Sequence, residues 1–166
     1  MSSTPQRVFR LLVTFWVGSL LTIGYAVAPT LFALLDRVAA GSVAAKLFRI
    51  EAIVGVLCGV LALALGNLLV RRGVAGYRRL RWLLAGMLVC VLIGYFALQP
   101  FMDALRTAAL AAGTDVGHSA YAVRFGVLHG VSSAFYLLES LLGLGLIWTL
   151  PVDERAGELK GTGAPA

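Results

Sequence analysis

Apolar residues run almost unbroken through four stretches of the chain, Leu11–Leu35, Ile53–Val70, Trp82–Leu98 and Phe125–Leu150, with polar residues gathered between them. A helix needs about 20 mostly apolar residues, within a range of about 17 to 25, to cross the roughly 30 Å hydrocarbon core of a bilayer. Each stretch is long enough, and a helix satisfies its own backbone hydrogen bonds where no water can. The pattern therefore predicts an all-α integral membrane four-helix bundle over residues 1–150, followed by a disordered polar tail over residues 151–166. The connections are too short to hold a separate soluble domain.

Two of the connections carry structure of their own. Between Asp36 and Glu51, Val43, Leu47 and Ile50 recur at helical spacing, with Lys46 and Arg49 on a neighbouring side. The segment from Phe101 to Ala112 is alanine-rich and ends at Gly113, a natural helix stop. Both segments read either as short interfacial helices along the membrane surface or as outward extensions of the adjacent spans.

Lipid tails are as apolar as leucine, so helices in a bilayer associate by close packing and interhelical hydrogen bonds. Small residues supply the first. Gly55, Gly59, Ala62 and Gly66 share one face of the second span, and Gly86, Cys90 and Gly94 share one face of the third. The first span aligns Gly18, Thr22, Tyr25 and Pro29, and the fourth aligns His129, Ser133, Tyr136, Ser140 and Gly143. These faces suit a compact bundle. The row Gly55, Gly59 and Gly66 would equally suit a homo-oligomer interface. Cys58 and Cys90 lie inside apolar spans as small buried hydrophobes.

Charge then sets orientation. Of 166 residues only 13% are charged, about half the usual roughly 25%, and the net charge is +6. In a soluble protein that balance would suggest nucleic acid. Here the cations flank spans, so no nucleic-acid partner is expected and the lipid bilayer is the surrounding. Four spans put both termini and the second connection on one face, with Arg7, Arg10, Arg71, Arg72, Arg78, Arg79, Arg81, Arg155 and Lys160. The other face has Arg37, Lys46, Arg49, Arg106 and Arg124. Nine against five favours cytoplasmic termini in a bacterial inner membrane. Arg7, Arg10 and the run to Ala26-Val27-Ala28 resemble a cleavable signal peptide. However, Pro29 follows the cut point and the apolar run continues to Leu35, so a retained helix is expected. Trp16, Trp82 and Trp148, with Tyr77, read as an interfacial aromatic belt.

Candidate chemistry is sparse. Glu139, near the middle of the fourth span, is the one acidic residue within the four apolar stretches. A charge at such depth costs roughly 2.5–3.5 kcal/mol, so the group reads as a proton-carrying or ligand-binding carboxyl, or as a neutral hydrogen-bonding one. His129 lies about one turn into the same span. Asp36, Glu51 and Asp103 are expected at its outer level, a set that could titrate or hold a metal. His118 stands eleven residues earlier, about 16 Å along a continuous helix, which does not clamp one haem iron. Met87 and Cys90 offer two soft groups on one turn. No phosphate loop, nucleotide fingerprint or hydrolase elbow occurs, so no catalytic set is assigned.

Gly18, Ala28-Pro29-Thr30-Leu31-Phe32, Ala40-Gly41 and Leu47-Phe48 resemble a bacterial membrane family catalogued as domain of unknown function 4149, related to the eukaryotic transmembrane protein 205. Phe125-Gly126-Val127-Leu128-His129-Gly130-Val131-Ser132 and Leu138-Glu139-Ser140 resemble that family's final span. The resemblance implies a four-helix membrane protein with no established activity. Its distant similarity to copper-resistance-D-like proteins implies metal or haem. The leading expectation is a small non-enzymatic bundle with a binding or membrane-integrity role. The alternatives are metal (copper-like) or proton handling through His129 and Glu139, and a haem-linked redox protein.

Overall fold

The computed structural model describes residues 4–74 and 76–151, so the expected polar tail lies, from residue 152 onward, outside the described residues. The first crossing, Thr4–Leu34, consists of helix α1 (Thr4–Thr22), a π-helical segment (Ile23–Val27) and helix α2 (Ala28–Leu34). Helix α3 (Arg37–Arg71) is the second crossing. The third, Tyr77–Ala111, joins α4 (Tyr77–Val91) to α5 (Gln99–Ala111) through a second π-helical segment (Leu92–Ala97). A 3-10 turn (Val116–His118) leads to α6 (Ala122–Trp148), the fourth crossing.

Local chemistry sets the boundaries. The Asp36 carboxylate accepts from the backbone N–H groups of Val38 at 3.0 Å and Ala39 at 2.9 Å, capping α3. That cap makes the Asp36–Glu51 connection the first turns of α3. It is an extension of the span, not a separate surface helix. At 35 residues and about 1.5 Å per residue, α3 is about 52 Å long and reaches beyond the hydrocarbon core. Gly73 (φ +85°) turns the chain into α4 and Gly113 (φ +76°) ends α5, and only glycine takes such angles without strain.

The helices form a ring in which α1 and α4 each pack against both α3 and α6. At the end of the molecule where α1 begins and α6 stops, the Arg10 guanidinium donates to the Pro151 carbonyl. This termini end holds the dense core: Phe9, Val13, Trp16 and Val17 of α1 meet Leu69 of α3, Leu80 and Leu84 of α4 and Leu146 of α6. Trp16 is fully buried, and so is Tyr77, which stands edge-on to Phe9 at 4.9 Å. Neither belongs to an interfacial belt, because α1 starts at Thr4 and carries Trp16 three turns into the bundle. Trp82 and Trp148 are the exposed tryptophans.

The glycine row of α3 is the socket for Trp16. A Cβ at Gly55 would stand 2.6 Å from Trp16 Nε1, and one at Gly59 would stand 2.9 Å from the indole ring. Gly66 is also buried, beside Phe9 and Arg81. The small-residue face read as a contact between copies is thus occupied within the chain.

Toward the opposite end the packing thins. The first π-helical segment and α2 bury no residue, and α6 buries none before Glu139, seventeen residues past Ala122.

Candidate functional site

Among the described residues the buried polar side chains are Glu51, Glu139 and Ser140. Glu51 on α3 is 4% exposed and Glu139 on α6 is 3% exposed. The two carboxyls lie within electrostatic reach of one another. Neither has an ion-pair partner among the described residues, and Glu51 Oε1 and Glu139 Oε1 accept no hydrogen bond there. The Trp16 indole N–H is aimed at the Glu139 carboxyl without closing a well-formed hydrogen bond, so it too stays unpartnered. Three buried polar groups thus converge on one place with hydrogen-bonding capacity left over, a costly arrangement in an apolar interior.

Glu51 was expected at the outer level beside His129. The structure puts it fourteen residues past Arg37, about 21 Å along α3 and inside the bundle, because α3 begins well before the apolar run. The rest of the outer set also separates. His129 is exposed, stacked on Phe125 with ring centres 6.0 Å apart. The Arg106 guanidinium stands 5.5 Å from the centre of that Phe125 ring. Asp103 accepts from Gln99 at 3.0 Å and from Arg106 at 3.3 Å, and Asp36 caps α3. His118 pairs with Asp115 at 2.5 Å in the connection before α6, and that bond holds the Asp115 carboxyl below its ordinary range. No group of three or more His, Cys, Asp or Glu that could hold a metal occurs among the described residues. Met87 and Cys90 are buried on α4 with no such set around them. Among the described residues no such donor set is assembled for a copper ion, and the two histidines are engaged apart, His118 with Asp115 and His129 with Phe125.

Helix α6 ties the site to both π-helical segments. Tyr136 Oη donates to the Leu20 carbonyl at 2.5 Å, just before the first segment, and its ring packs where a side chain on Gly24 would stand. Ser132 Oγ donates to the Gly94 carbonyl at 2.7 Å, within the second. A π-helical turn widens the backbone ladder and recurs at functional sites. Phe48 of α3 meets the Tyr136 ring edge-on at 5.4 Å, one turn from Glu51 and Glu139 respectively.

These parts occur twice. Ile23-Gly24-Tyr25, with Pro29 after it, begins the first π-helical segment, and Ile93-Gly94-Tyr95, with Pro100 after it, lies in the second. Phe48-Arg49-Ile50-Glu51-Ala52-Ile53-Val54-Gly55 on α3 matches Tyr136-Leu137-Leu138-Glu139-Ser140-Leu141-Leu142-Gly143 on α6 in its aromatic, acidic, small and glycine positions. The first and third crossings run in the same direction, so the two hairpins form a parallel internal repeat. Glu51 is the functional candidate that span-by-span reading displaced, and self-comparison of the sequence is the signal that finds it.

Four helices long and apolar enough to cross a membrane, closed around a pair of buried acids, define a multi-pass integral membrane protein. Within that class the chain belongs to the DUF4149 family, described as a domain of unknown function, whose model matches residues 11–111. The match takes in Glu51 and both π-helical segments and ends before α6. Comparison with curated proteins and with solved structures gives no match.

Proposed function

We propose that this protein is a small non-enzymatic bundle of the bacterial cytoplasmic membrane, both termini cytoplasmic, whose working part is a proton-exchanging pair formed by Glu51 and Glu139. The observation that carries this reading is that the pair is built from equivalent positions of two hairpins, buried, and free of any cation among the described residues. Two acids in mutual reach gain and lose protons as a unit. Intramembrane ionisable groups facing a bundle interior mark ion or proton paths. Trp16 offers one N–H to the charged form of Glu139, and the first π-helical segment and α2, which bury no residue, make the far half the thinly packed side.

Orientation rests on the arginines around the α3–α4 turn, Arg71, Arg72, Arg78, Arg79 and Arg81, since clustered cations beside spans stay on the cytoplasmic face. His129 has no part in the exchange, being exposed and stacked on Phe125.

The test is proton flux into vesicles holding the purified full chain and a trapped pH dye, under an imposed pH gradient. Glu51→Gln and Glu139→Gln should each abolish the protein-dependent flux, and His129→Ala should leave it intact. Flux that persists in the double glutamine variant would overturn the proposal.

A further inference from the structure

At the termini end a groove opens between α3 and α4, lined by Leu63 and Asn67 of α3 and by Arg81, Trp82 and Ala85 of α4. Asn67 Oδ1 accepts from Arg81 Nη1 at 2.8 Å. A neutral amide thus aims the guanidinium and leaves its charge intact, and Arg81 Nε has no acceptor among the described residues.

The neighbours extend this arrangement along both helices. Residues three or four apart share a helix face. On α3, Leu63, Asn67 and Arg71 form one such ladder, and on α4, Arg78, Arg81 and Ala85 form another. Both run from exposed cations at the helix end to apolar side chains about 10–12 Å deeper. Trp82, 77% exposed, stands beside the groove with its indole toward the surroundings. Arg71, Arg72, Arg78 and Arg79 are all exposed. The described acids are Asp36, Glu51, Asp103, Asp115 and Glu139, and none of them lies at this end.

From this gradient we infer that the groove is a binding site for one anionic phospholipid. The phosphate sits on Arg81 with Arg71 and Arg78 above it, and an acyl chain lies along Leu63 and Ala85 with Trp82 at the glycerol level. A soluble phosphate would use the cations and leave the apolar floor unused, whereas a phospholipid matches both. A basic pocket between membrane helices is a recognised form of headgroup site, with about 1 kcal/mol per cation, or about fivefold in affinity. The inference is independent of the proton-exchanging pair, which lies deeper in the bundle.

The experiment is native mass spectrometry of the detergent-purified full chain, titrated with phosphatidylglycerol, with phosphatidylcholine of the same acyl chains, and with glycerol 3-phosphate. One phosphatidylglycerol per chain should be retained in preference to phosphatidylcholine. Arg81→Gln should weaken that retention about fivefold, and the exposed pair Arg71→Gln and Arg78→Gln, which leaves the Asn67 contact in place, by a similar factor for each residue. Equal retention of the two lipids, or undiminished retention in the Arg71/Arg78 variant, would overturn the inference. Displacement of phosphatidylglycerol by equimolar glycerol 3-phosphate would also overturn it, assigning the groove to a soluble phosphate.

Discussion

The two ends of this bundle hold their helices together by different means. At the termini end, bulky rings fit sockets of matching size: Trp16 against Gly55 and Gly59, and Phe9 against Tyr77. At the far end, apolar burial is sparse and the joints are discrete: Tyr136 to the Leu20 carbonyl, Ser132 to the Gly94 carbonyl, and the edge-on meeting of Phe48 with Tyr136. The difference shows how a chain in lipid divides its cohesion. Without a hydrophobic force between helices, contact must come from shape or from hydrogen bonds. Shape makes a fixed base, and hydrogen bonds make a half that can be adjusted. The acid pair lies where one regime gives way to the other.

The sharpest way to break the comparison is to disturb the socket. Gly55→Ala puts a methyl within 2.6 Å of the Trp16 indole nitrogen, whereas Gly130→Ala on the far half of α6 meets nothing within 4 Å. The first should cost about 1–3 kcal/mol, the range for overpacking, and the second should be close to neutral. Thermal melting in detergent reads both, and equal losses would mean that the two ends are held alike. Tyr136→Phe should cost less, about 0.6 kcal/mol for a lost interhelical hydrogen bond. Its effect should stay local: amide exchange over residues 23–27 should quicken while that of the Phe9–Trp16 region stays unchanged.

The smallest effect belongs to the connection before α6. There Asp115 accepts from the Gly117 N–H at 2.8 Å and pairs with His118, which holds its carboxyl below the ordinary range. A lowered carboxyl contributes stability that is complete above the ordinary carboxylate range and fades as pH falls through its own lower value. Protection of the Gly117 amide should therefore drop only at acid pH, and Asp115→Asn should remove that dependence. Melting of the bundle core should not follow it.

The spans were legible because their apolar runs are long, and their ends because Gly73 and Gly113 hold angles other residues avoid. Glu139 was legible as a deep carboxyl because apolar residues surround it on both sides. Glu51 was not. Lys46 and Arg49 lie a few residues before it and set the start of the apolar run at Ile53, so Glu51 reads as lying at the outer level although Asp36 caps the helix far upstream. Trp16 was displaced for a related reason: Arg7 and Arg10 suggest an interface, but α1 begins at Thr4 and its tryptophan turns inward. The repeat is obscured by length. Tyr25 precedes Glu51 by 26 residues and Tyr95 precedes Glu139 by 44, because α5 is longer than its counterpart α2 and a 3-10 turn lengthens the connection that follows it.

The two hairpins are copies in outline but not in detail. Counting back seven residues from Ile23 reaches Trp16, and counting back the same distance from Ile93 reaches Gly86. An assembly of two identical hairpins would give each acid the same company. Joining the hairpins in one chain lets a tryptophan attend Glu139 with no counterpart for Glu51. The two carboxyls are therefore distinguishable, each with its own company although they stand at equivalent positions of the repeat.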